Sequence, residues 1–532
     1  MTGFDYYGIM LYKLLKGMFQ MFRMMSPQKA VALIPDGAWI GLNPFLMLSE
    51  PFALHTALAE RFEQLGHPNN LRIYSPCGFG VWDENRLVDR YAKAGALQCV
   101  VTSHYNSMPF IQKMAGEGAL EAYCLPMGAM SHSLRAAAAG QMGLLSRVGL
   151  NIYVDPLLDG PGVNEKSREE WVRRVDVCGE PHLYYKVPKL DIALIKGTSV
   201  DPVGNICFSD ECVTCDALAL AQATKSNGGL VIVQVDRVSH IFERPRNVII
   251  PGILVDVVVV VEDDESHETE LKALRGDIHV PSSQMDYWMH KIQTESSGNR
   301  AQVADTAQEI IGERAARSLR PGDIVNIGIG IPEMVGKAAA KLGILRDIVL
   351  TVESGGIGGL PAPGYLFGST IGADCIVGMA EQFDFYDGGS LSICFMGALE
   401  IDMAGNVNVH KLPGRFVGIG GFGNITGGAK TVVFCCTFNT KGLKVQRDED
   451  GKIHIEREGS IPKFKRNIGT ISFSAQNALK RGQRVIYVTE RCIFALTEAG
   501  LVLETVFEGI DPVRDILNQL PFPVDFERSE NE

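Results

Sequence analysis

A single carboxylate, Glu353, stands where a short apolar segment meets a run of glycines. Residues 348–352 are rich in β-forming side chains, which predicts a buried strand that ends just before the glutamate. The glycines that follow are Gly355, Gly356, Gly358 and Gly359. They allow positive φ angles and let a ligand approach main-chain N–H groups. A glutamate in such a place can act as a nucleophile, a general base or a metal ligand, or it can simply cap a turn.

Two further glycine loops could hold an anionic ligand. Residues 323–327 predict a strand, a glycine turn follows, and residues 334–341 predict a helix. This order is typical of sites that receive phosphate on helix N–H groups, although one G-x-G without a third glycine is weak evidence for a dinucleotide. The loop 418–423 adds Phe422, whose ring offers a stacking surface. Residues 382–389 predict a structured turn that brings aromatic rings to the same edge.

The elements that must position these loops alternate between helix and strand. The predicted strands of the first half are 38–42, 71–75, 99–102, 190–195, 229–235 and 253–261. The predicted helices are 28–34, 52–65 and 213–226. This alternation predicts the α/β class with mostly parallel sheets. In open α/β sheets, ligands bind beyond the carboxyl ends of the strands, where Glu353 is predicted to lie.

The pattern of the first half begins again after residue 300. Lys29-Ala30, Ile34, Gly37 and Ile40 share their spacing with Arg314-Ala315, Leu319, Gly322 and Val325. The segment Asp-Pro-Val-Gly-Asn-Ile at 201–206 returns at 402–407 as Asp-Met-Ala-Gly-Asn-Val. We therefore predict two related open α/β domains with the active site in the cleft between them. The expected divisions are an N-terminal extension (1–25), a first domain (26–262), a linker (263–300) and a second domain (301–532).

Composition and motifs exclude several classes of function. The 532-residue chain has a net charge of −12 and no basic patch dense enough for a nucleic-acid partner. Lys13, Lys16 and Arg23 interrupt the apolar N-terminal segment, so no membrane span is expected there. The sequence contains no Walker loop, no G-x-S-x-G and no H-E-x-x-H motif.

The twelve cysteines are expected to be reduced thiols of a cytoplasmic protein, because no secretory signal precedes them. Cys207, Cys212 and Cys215 have the spacing of a plant-type iron–sulfur site. That site requires a fourth thiolate, and the next cysteine, Cys375, lies far away in the other half. We therefore expect no metal site.

Taken together, the motifs resemble those of class I coenzyme A transferases. The second half contributes Gly-Ile-Gly-Ile-Pro at 328–332, Val-Glu-Ser-Gly-Gly-Ile-Gly-Gly at 352–359, and the segments 382–389, 418–422, 434–435 and 487–491. The first half contributes the segments 36–37, 60–62, 134–138, 153–156 and 250–256. The resemblance covers roughly residues 26–520. It is closest to the single-chain acetate, propionate and 3-oxoacid CoA-transferases, in which α and β subunits are fused.

This resemblance implies a covalent mechanism centred on Glu353. Its carboxylate would attack an acyl-CoA, form a glutamyl-CoA thioester and pass CoA to a second carboxylic acid in ping-pong order. The implied partners are acyl-CoA and carboxylic acids, CoA is a substrate rather than a tightly bound cofactor, and a homo-oligomer is expected. The implied CoA-binding candidates lie in the glycine loops: Gly328, Ile329, Gly330, Gly358, Gly359, Gly420, Gly421 and Phe422.

The first half departs from the family where the acyl pocket is expected. A glycine-rich loop that helps to bind the oxyanion is replaced by Leu-Asn-Pro-Phe at 42–45, and its Pro44 has no N–H to donate. Asn43 could donate through its side chain instead. Phe45, His104 and Met127 are the other candidates for this pocket, and Leu157 replaces an arginine. The lost polar groups predict a more apolar pocket that favours a bulkier or more hydrophobic acid than acetate.

Two other functions stay open on these residues. A thioesterase would admit water to the same glutamyl intermediate. An acyl-CoA-binding protein would bind the ester without turning it over, if Pro44 has removed the oxyanion hole. Transfer requires a second acid, hydrolysis requires only water, and a binding protein shows neither.

Overall fold

The computed structural model describes residues 22–261, 306–362 and 364–526. Within them the chain forms two α/β units, each built on a large and mostly parallel sheet, so the predicted fold class is confirmed. The predicted linker 263–300 lies outside the described residues, as do residues 1–21 of the predicted extension.

The first sheet has eight strands side by side and two on its margin. Its strands are β1 (Arg23–Met24), β2 (Trp39–Leu42), β3 (Leu71–Ser75), β4 (Leu97–Thr102), β5 (Glu121–Cys124), β6 (Ile192–Val200), β7 (Ile206–Cys207), β8 (Leu230–Val238), β9 (Val248–Ile250) and β10 (Val257–Val260). The order β1-β10-β8-β6-β2-β3-β4-β5 is parallel throughout. β6 is buried along its whole length, as expected for a central strand of a parallel sheet. β1 shows that the sheet begins inside the segment predicted as an extension.

Helices alternate with these strands. They are α1 (Pro27–Val31), α2 (Phe52–Leu65), α3 (Leu87–Ala94), α4 (Pro109–Gly116), α5 (Met127–Ala138) and α6 (Ala217–Ser226). α2 ends where predicted because Gly66 adopts a left-handed φ of 71° and its N–H donates to the Phe62 carbonyl. Gly143–Ser146, Val172–Val177 and Glu180–Lys186 form a separate antiparallel sheet.

The second sheet has a parallel centre, and antiparallel pairs flank that centre on both sides. Its strands are β11 (Ile324–Ile327), β12 (Val349–Thr351), β13 (Gly356–Ile357), β14 (Cys375–Ile376), β15 (Ile393–Gly397), β16 (Thr431–Cys435), β17 (Arg484–Val488), β18 (Cys492–Thr497), β19 (Gly500–Val506) and β20 (Asp525–Phe526). They lie in the order β14-β13-β12-β11-β15-β16-β17-β18-β19-β20, and the pairs from β12 to β17 are parallel.

The second unit also contains five described helices and several short strand pairs. The helices are α7 (Thr306–Ala316), α8 (Glu333–Lys341), α9 (Met379–Asp387), α10 (Phe422–Gly428) and α11 (Ala475–Lys480). The short strands pair as Leu360–Pro361 with Thr370–Ile371, Glu400–Asp402 with Val407–Asn408 and Phe464–Lys465, Lys411–Leu412 with Arg415–Phe416, Asn439–Thr440 with Ile461–Pro462, and Lys444–Arg447 with Ile453–Arg457.

Several predicted elements differ from the structure in type or length. The helices predicted at 28–34 and 213–226 are shorter, at Pro27–Val31 and Ala217–Ser226. Residues 382–389 were expected to form a turn, but most of them belong to the helix α9, which buries Phe383 and Tyr386 at helical spacing on one face. The predicted strand 253–261 is shorter in the structure, since a 3-10 turn occupies Gly252–Leu254 before β10 begins.

The repeated segment noted in the sequence forms two turns with the same hydrogen bonds. Asp201 Oδ1 accepts the N–H groups of residues 203 and 205, both at 2.9 Å, and its Oδ2 accepts Asn205 Nδ2 at 3.0 Å. Asp402 Oδ1 accepts the N–H groups of residues 404 and 406 at 3.0 and 2.9 Å, and its Oδ2 accepts Asn406 Nδ2 at 3.0 Å. The glycine inside each turn has a left-handed φ, 88° at Gly204 and 86° at Gly405. The two units therefore share local structure as well as sequence spacing.

The two domains pack directly on each other along a short backbone ladder. Tyr105 N–H donates to the Val417 carbonyl at 2.8 Å, and Ile419 N–H donates to the Ser103 carbonyl at 2.9 Å. Across the described ranges, we find no helix with the length and apolar character that a membrane crossing requires. The same residues contain no group of three or more histidines, cysteines and carboxylates arranged to hold a metal ion.

Candidate active site

Glu353 lies just beyond the carboxyl end of β12, as the sequence predicts, and it is only 9% exposed. Its side chain lines a cavity of about 350 Å³ between the two domains. The site candidates that share this cavity with it are Phe45, His104, Met127, Gly328, Ile329, Gly420, Gly421 and Phe422. The structure thus brings together most of the residues that the sequence singled out.

The Glu353 carboxyl is held in an environment that resists ionisation. Burial raises the pKa of Glu353, and a hydrogen bond from the Asn326 side chain opposes that shift. Asn326 Nδ2 also donates to the Thr351 carbonyl and to Tyr386 Oη, both at 3.2 Å. Asn326 Oδ1 is buried without a partner among the described residues. The Asn326 oxygen without a hydrogen-bond partner and the Glu353 carboxyl therefore lie in the same small polar cluster.

The glycines after Glu353 are required by close packing. Gly355 has a φ of 118°, and a Cβ there would collide with the Val377 carbonyl. Gly358 and Gly359 have φ angles of 75° and 65°, and a Cβ on either would collide with residues 371–374. Neither Gly358 nor Gly359 lines the cavity, and neither does Gly330. Their position supports a role in shaping the loop rather than in contacting CoA.

The first domain closes the cavity with a wall that we call the inner wall: Phe45, Leu46, Cys77, His104 and Met127. The Phe45 ring packs 6.2 Å from the Phe367 ring and directly against Gly368. The carbonyl of Gly368 accepts a hydrogen bond from Ser354, the residue after Glu353. Phe45 is therefore linked to Glu353 through one short chain of contacts.

Asn43 lies outside the cavity and has other partners. Its Nδ2 donates to the Thr214 carbonyl at 3.2 Å, and its Oδ1 accepts the Asp216 N–H at 2.7 Å. The N–H groups after Pro44 are also occupied, since Phe45 donates to the Leu48 carbonyl and Leu46 donates to the Gly78 carbonyl. This loop fixes the inner wall, and its geometry gives no support to the donor role expected for Asn43.

Leu157 is also outside the inner wall. It is 72% exposed and does not line the cavity. The expectation that the arginine-to-leucine change would make the pocket more apolar was therefore wrong at this position. His104 and Met127, in contrast, lie where the departures from the family were expected to matter.

The glycine loop that follows β11 lies at the exposed side of the cavity. Ile329 is 54% exposed there, between the cavity and solvent. The loop that contains Gly420 is held across the cleft, because Gly420 N–H donates to the Ser103 carbonyl at 2.9 Å and its carbonyl accepts the Met127 N–H at 3.1 Å. The loop 418–423 therefore both pairs with the first domain and lines the cavity.

The sequence did not single out several residues that line the cavity. Asn326 and Cys77 lie beside Glu353, and Lys463 places an ammonium group in the second-domain wall, where Nζ donates to the Ala398 carbonyl at 2.8 Å. Asn326 follows Val325 on a strand already predicted to end at the site, so its position could have been proposed. Cys77 and Lys463 lie in loops without a recognisable motif, and only the folded chain brings them to the cavity.

The chain is similar to known coenzyme A transferases. The family model described as Coenzyme A transferase matches residues 24–261 and 308–467. The acetate CoA-transferase YdiF of Escherichia coli K12 is 36% identical over 94% of this chain and 92% of its own. The caffeate CoA-transferase of Acetobacterium woodii is 35% identical over 94% of each chain. The crystal structure of acyl-CoA transferase YdiF from E. coli O157:H7, as a thioester complex with CoA, superposes with a TM-score of 0.84 at 35% identity, covering 96% of this chain and 94% of that one.

Proposed function

The chain belongs to the coenzyme A transferase family and is a CoA-transferase, and we propose that it works in ping-pong order through a glutamyl-CoA thioester on Glu353. The observation that carries this proposal is the position of Glu353: a buried carboxylate at a strand end, facing a cavity walled by both domains. The crystal structure of YdiF as a thioester complex with CoA adds support from a relative.

The proposed steps exchange carboxylates and thiolates without a net proton. The Glu353 carboxylate attacks the thioester carbonyl of an acyl-CoA. The C–S bond breaks, CoA departs as a thiolate, and an acyl-glutamyl anhydride remains on the protein. The thiolate then attacks the glutamyl carbonyl, the anhydride C–O bond breaks, and the first acid leaves as a carboxylate. A second acid reverses these steps on the glutamyl-CoA thioester and departs as its CoA ester.

Burial of Glu353 serves two requirements of this chemistry. A carboxylate that has lost its water shell is more basic, as its raised pKa reflects, so its ionised form is a stronger nucleophile. The same burial excludes water from a thioester that water would hydrolyse. Asn326, which hydrogen-bonds the carboxylate, is our candidate for keeping it ionised and oriented.

CoA is proposed to enter from the second-domain side, as a substrate that is held covalently only during turnover. Gly328, Ile329, Gly420, Gly421 and Phe422 border the cavity there and leave backbone close to a ligand. The Lys463 ammonium in the same wall would offer a positive charge to this anionic molecule. Gly330, Gly358 and Gly359 are proposed to shape these loops.

Intact mass spectrometry tests the proposal. We expect the protein incubated with a panel of acyl-CoAs to gain one CoA minus one water, and to lose this mass when a carboxylic acid is added. The Glu353→Gln variant should gain nothing. Glu333→Gln is the matched control, because burial also raises the pKa of Glu333, which does not line the cavity. An adduct that persists in Glu353→Gln would refute the assigned nucleophile.

The same experiment distinguishes the two alternatives. An adduct that disappears in buffer at the rate at which it disappears with added acid indicates a thioesterase. CoA binding without an adduct for any acyl-CoA indicates a binding protein. In that case Pro44 would be the first residue to replace by glycine. The N–H groups of Phe45 and Leu46 already have acceptors, so Pro44→Gly would supply the free N–H donor that this loop lacks.

Location and assembly remain predictions from the family resemblance. We propose a cytoplasmic homo-oligomer that acts on carboxylic acids, since the relatives are named for acetate and caffeate transfer. Cell fractionation and light scattering of the purified protein check the first two points.

A further inference from the structure

A second cavity lies between the two domains, away from Glu353, and we call it the rear cavity. Its volume is about 630 Å³. The first domain contributes residues from the segment 146–152, and the second domain contributes the end of α9, most of α10 and the residues around α11. Among the described residues, the rear cavity and the cavity at Glu353 have no lining residue in common.

The two cavities lie at opposite edges of the second sheet. Lys430 and Gln483 line the rear cavity, and each immediately precedes a parallel strand, β16 or β17. Cys435 lines the cavity at Glu353 and is the last residue of β16. Because the strand separates the two ends by more than about 10 Å, a ligand of the rear cavity is not in contact with Glu353.

The rear cavity is positively charged, although the chain as a whole is acidic. Its lining includes three cations, Arg147, Lys430 and Arg481, and one carboxylate, Asp387. The net charge of the whole chain is −12. A local excess of cations in a concave surface of such a chain attracts anions by raising their local concentration.

The one carboxylate of the lining already has partners of its own. Both Asp387 oxygens accept hydrogen bonds from Asn424 Nδ2 at 3.0 Å. Asp387 Oδ2 also lies 3.8 Å from His132 Nδ1 of the first domain. Asp387 therefore serves the contact between the domains and neutralises the three cations only in part.

The cations have little other compensation. Across the part of the chain that the structure describes, neither Lys430 nor Arg481 forms an ion pair with a carboxylate. Arg147 Nη2 lies 3.3 Å from a Glu180 oxygen, but both side chains are well exposed, so this pair contributes little. Burial lowers the pKa of Arg481, the Asp387 charge opposes that shift, and the Arg147 charge adds to it. The two guanidinium groups are thus close enough to repel each other.

We propose that the rear cavity is a binding site for a small phosphorylated molecule, held by Arg147 of the first domain and by Lys430 and Arg481 of the second.

The chemistry of the three side chains favours phosphate. Guanidinium groups bind phosphate oxygens through two parallel hydrogen bonds, and an ammonium group adds a point charge. A phosphate between Arg147 and Arg481 would replace their repulsion by two attractions. The cavity is also in the size range of small-molecule sites. Because the cations come from both domains, a bound phosphate would join the domains at this edge.

Isothermal titration with inorganic pyrophosphate tests the proposal, with the ionic strength held constant by sodium chloride. We expect wild-type protein to bind about one pyrophosphate per chain and to unfold at a higher temperature in its presence. No binding up to about 1 mM pyrophosphate would overturn the proposal.

Lys430→Gln and Lys463→Gln form the matched pair of variants, since each removes one ammonium group from one of the two cavities. Lys430→Gln should lower the affinity for pyrophosphate about tenfold or more, because it loses a charged contact to phosphate. Lys463→Gln should bind pyrophosphate as the wild type does. If only Lys463→Gln loses affinity, pyrophosphate binds at the cavity of Glu353 and the proposal is wrong.

Two further measurements on Lys430→Gln separate this site from other uses of the same cations. Its affinity for CoA should equal that of the wild type, and a loss would assign the rear cavity to the substrate. Its mass by light scattering should also equal that of the wild type. A change in mass would assign the three cations to a contact between copies of this chain, which overturns the proposal.

Discussion

The reactivity of the site depends on one carboxyl group whose ionisation is made unfavourable by burial. Burial raises the pKa of Glu353 above its ordinary value of 4.5, and only the ionised form can attack an acyl-CoA. The side chain that must be charged to react therefore lies where burial favours its neutral form. Such a conflict between stability and chemistry is common at active sites.

The rate of CoA-adduct formation should rise with pH through a midpoint above 4.5 and then reach a plateau. The raised pKa also sets the sign of the effect on stability. The folded state holds the proton to a higher pH than the unfolded state does, so the stability contributed by Glu353 is lost as pH rises through its folded pKa.

Glu353→Gln should accordingly raise the unfolding temperature at pH 7, by roughly 1–3 °C, and this gain should vanish below the pKa of the unfolded chain. Stopped incubations analysed by mass measure the rate profile, and thermal unfolding at several pH values measures the stability. If Glu353→Gln is less stable than wild type at pH 7, burial of the Glu353 carboxyl does not destabilise the folded protein.

At the scale of elements, the proposed nucleophile is positioned by loops that leave little room. Gly368 has a φ of 106°, and a Cβ on it would collide with the Phe45 ring from the other domain. Its carbonyl also holds Ser354, beside Glu353. The glycine therefore lets the Phe45 loop and the Glu353 loop meet.

Gly368→Ala should displace Phe45, lower kcat for transfer on the order of a hundredfold and destabilise the protein by about 1–3 kcal/mol. Gly95→Ala is the matched control, since Gly95 has a φ of 100° but no neighbouring atom lies within 4 Å of the Cβ that alanine would add. That variant should share the backbone strain and keep its activity. Denaturant unfolding and steady-state kinetics compare the two, and equal losses of kcat would contradict the packing argument.

At the scale of the whole molecule, the active site exists only because the two domains remain together. The glycine loop from 418 to 423 pairs with the first-domain segment Ser103-His104-Tyr105, and a Cβ on Gly418 would lie 2.5 Å from the Ser103 carbonyl. Helix α5 adds a second contact, because the Gly128 N–H donates to Asn424 Oδ1 at 3.1 Å. Separation of the domains would expose the thioester to water.

Gly418→Ala should open this contact and increase hydrolysis of the glutamyl-CoA thioester relative to transfer, on the order of tenfold or more. Gly414→Ala is the control on a neighbouring turn, where the φ of 72° imposes similar strain and nothing lies within 4 Å. The lifetime of the isolated adduct in buffer is the measurement. Identical lifetimes in the two variants would show that this ladder does not exclude water.

The sequence by itself determined the fold class, the repeated α/β unit and the position of Glu353 at a strand end. These features depend on local pattern: apolar segments of strand length, glycines with positive φ and one carboxylate where a strand must end. The repeated segments at Asp201 and Asp402 and the helix α2 follow from the same kind of local signal. The segment 382–389 resembles a turn because it ends in two glycines, but the helical spacing of Phe383 and Tyr386 places most of it in α9.

Only the tertiary structure decided which side chains share the cavity and what they can do there. Asn43 and Cys77 are both buried first-domain residues near the same loop, yet one is bound to Thr214 and Asp216 while the other borders Glu353. Lys463 comes to the site from a distant loop. Contacts of this kind depend on how two sheets and their loops pack in three dimensions, and no periodicity along the chain records that packing.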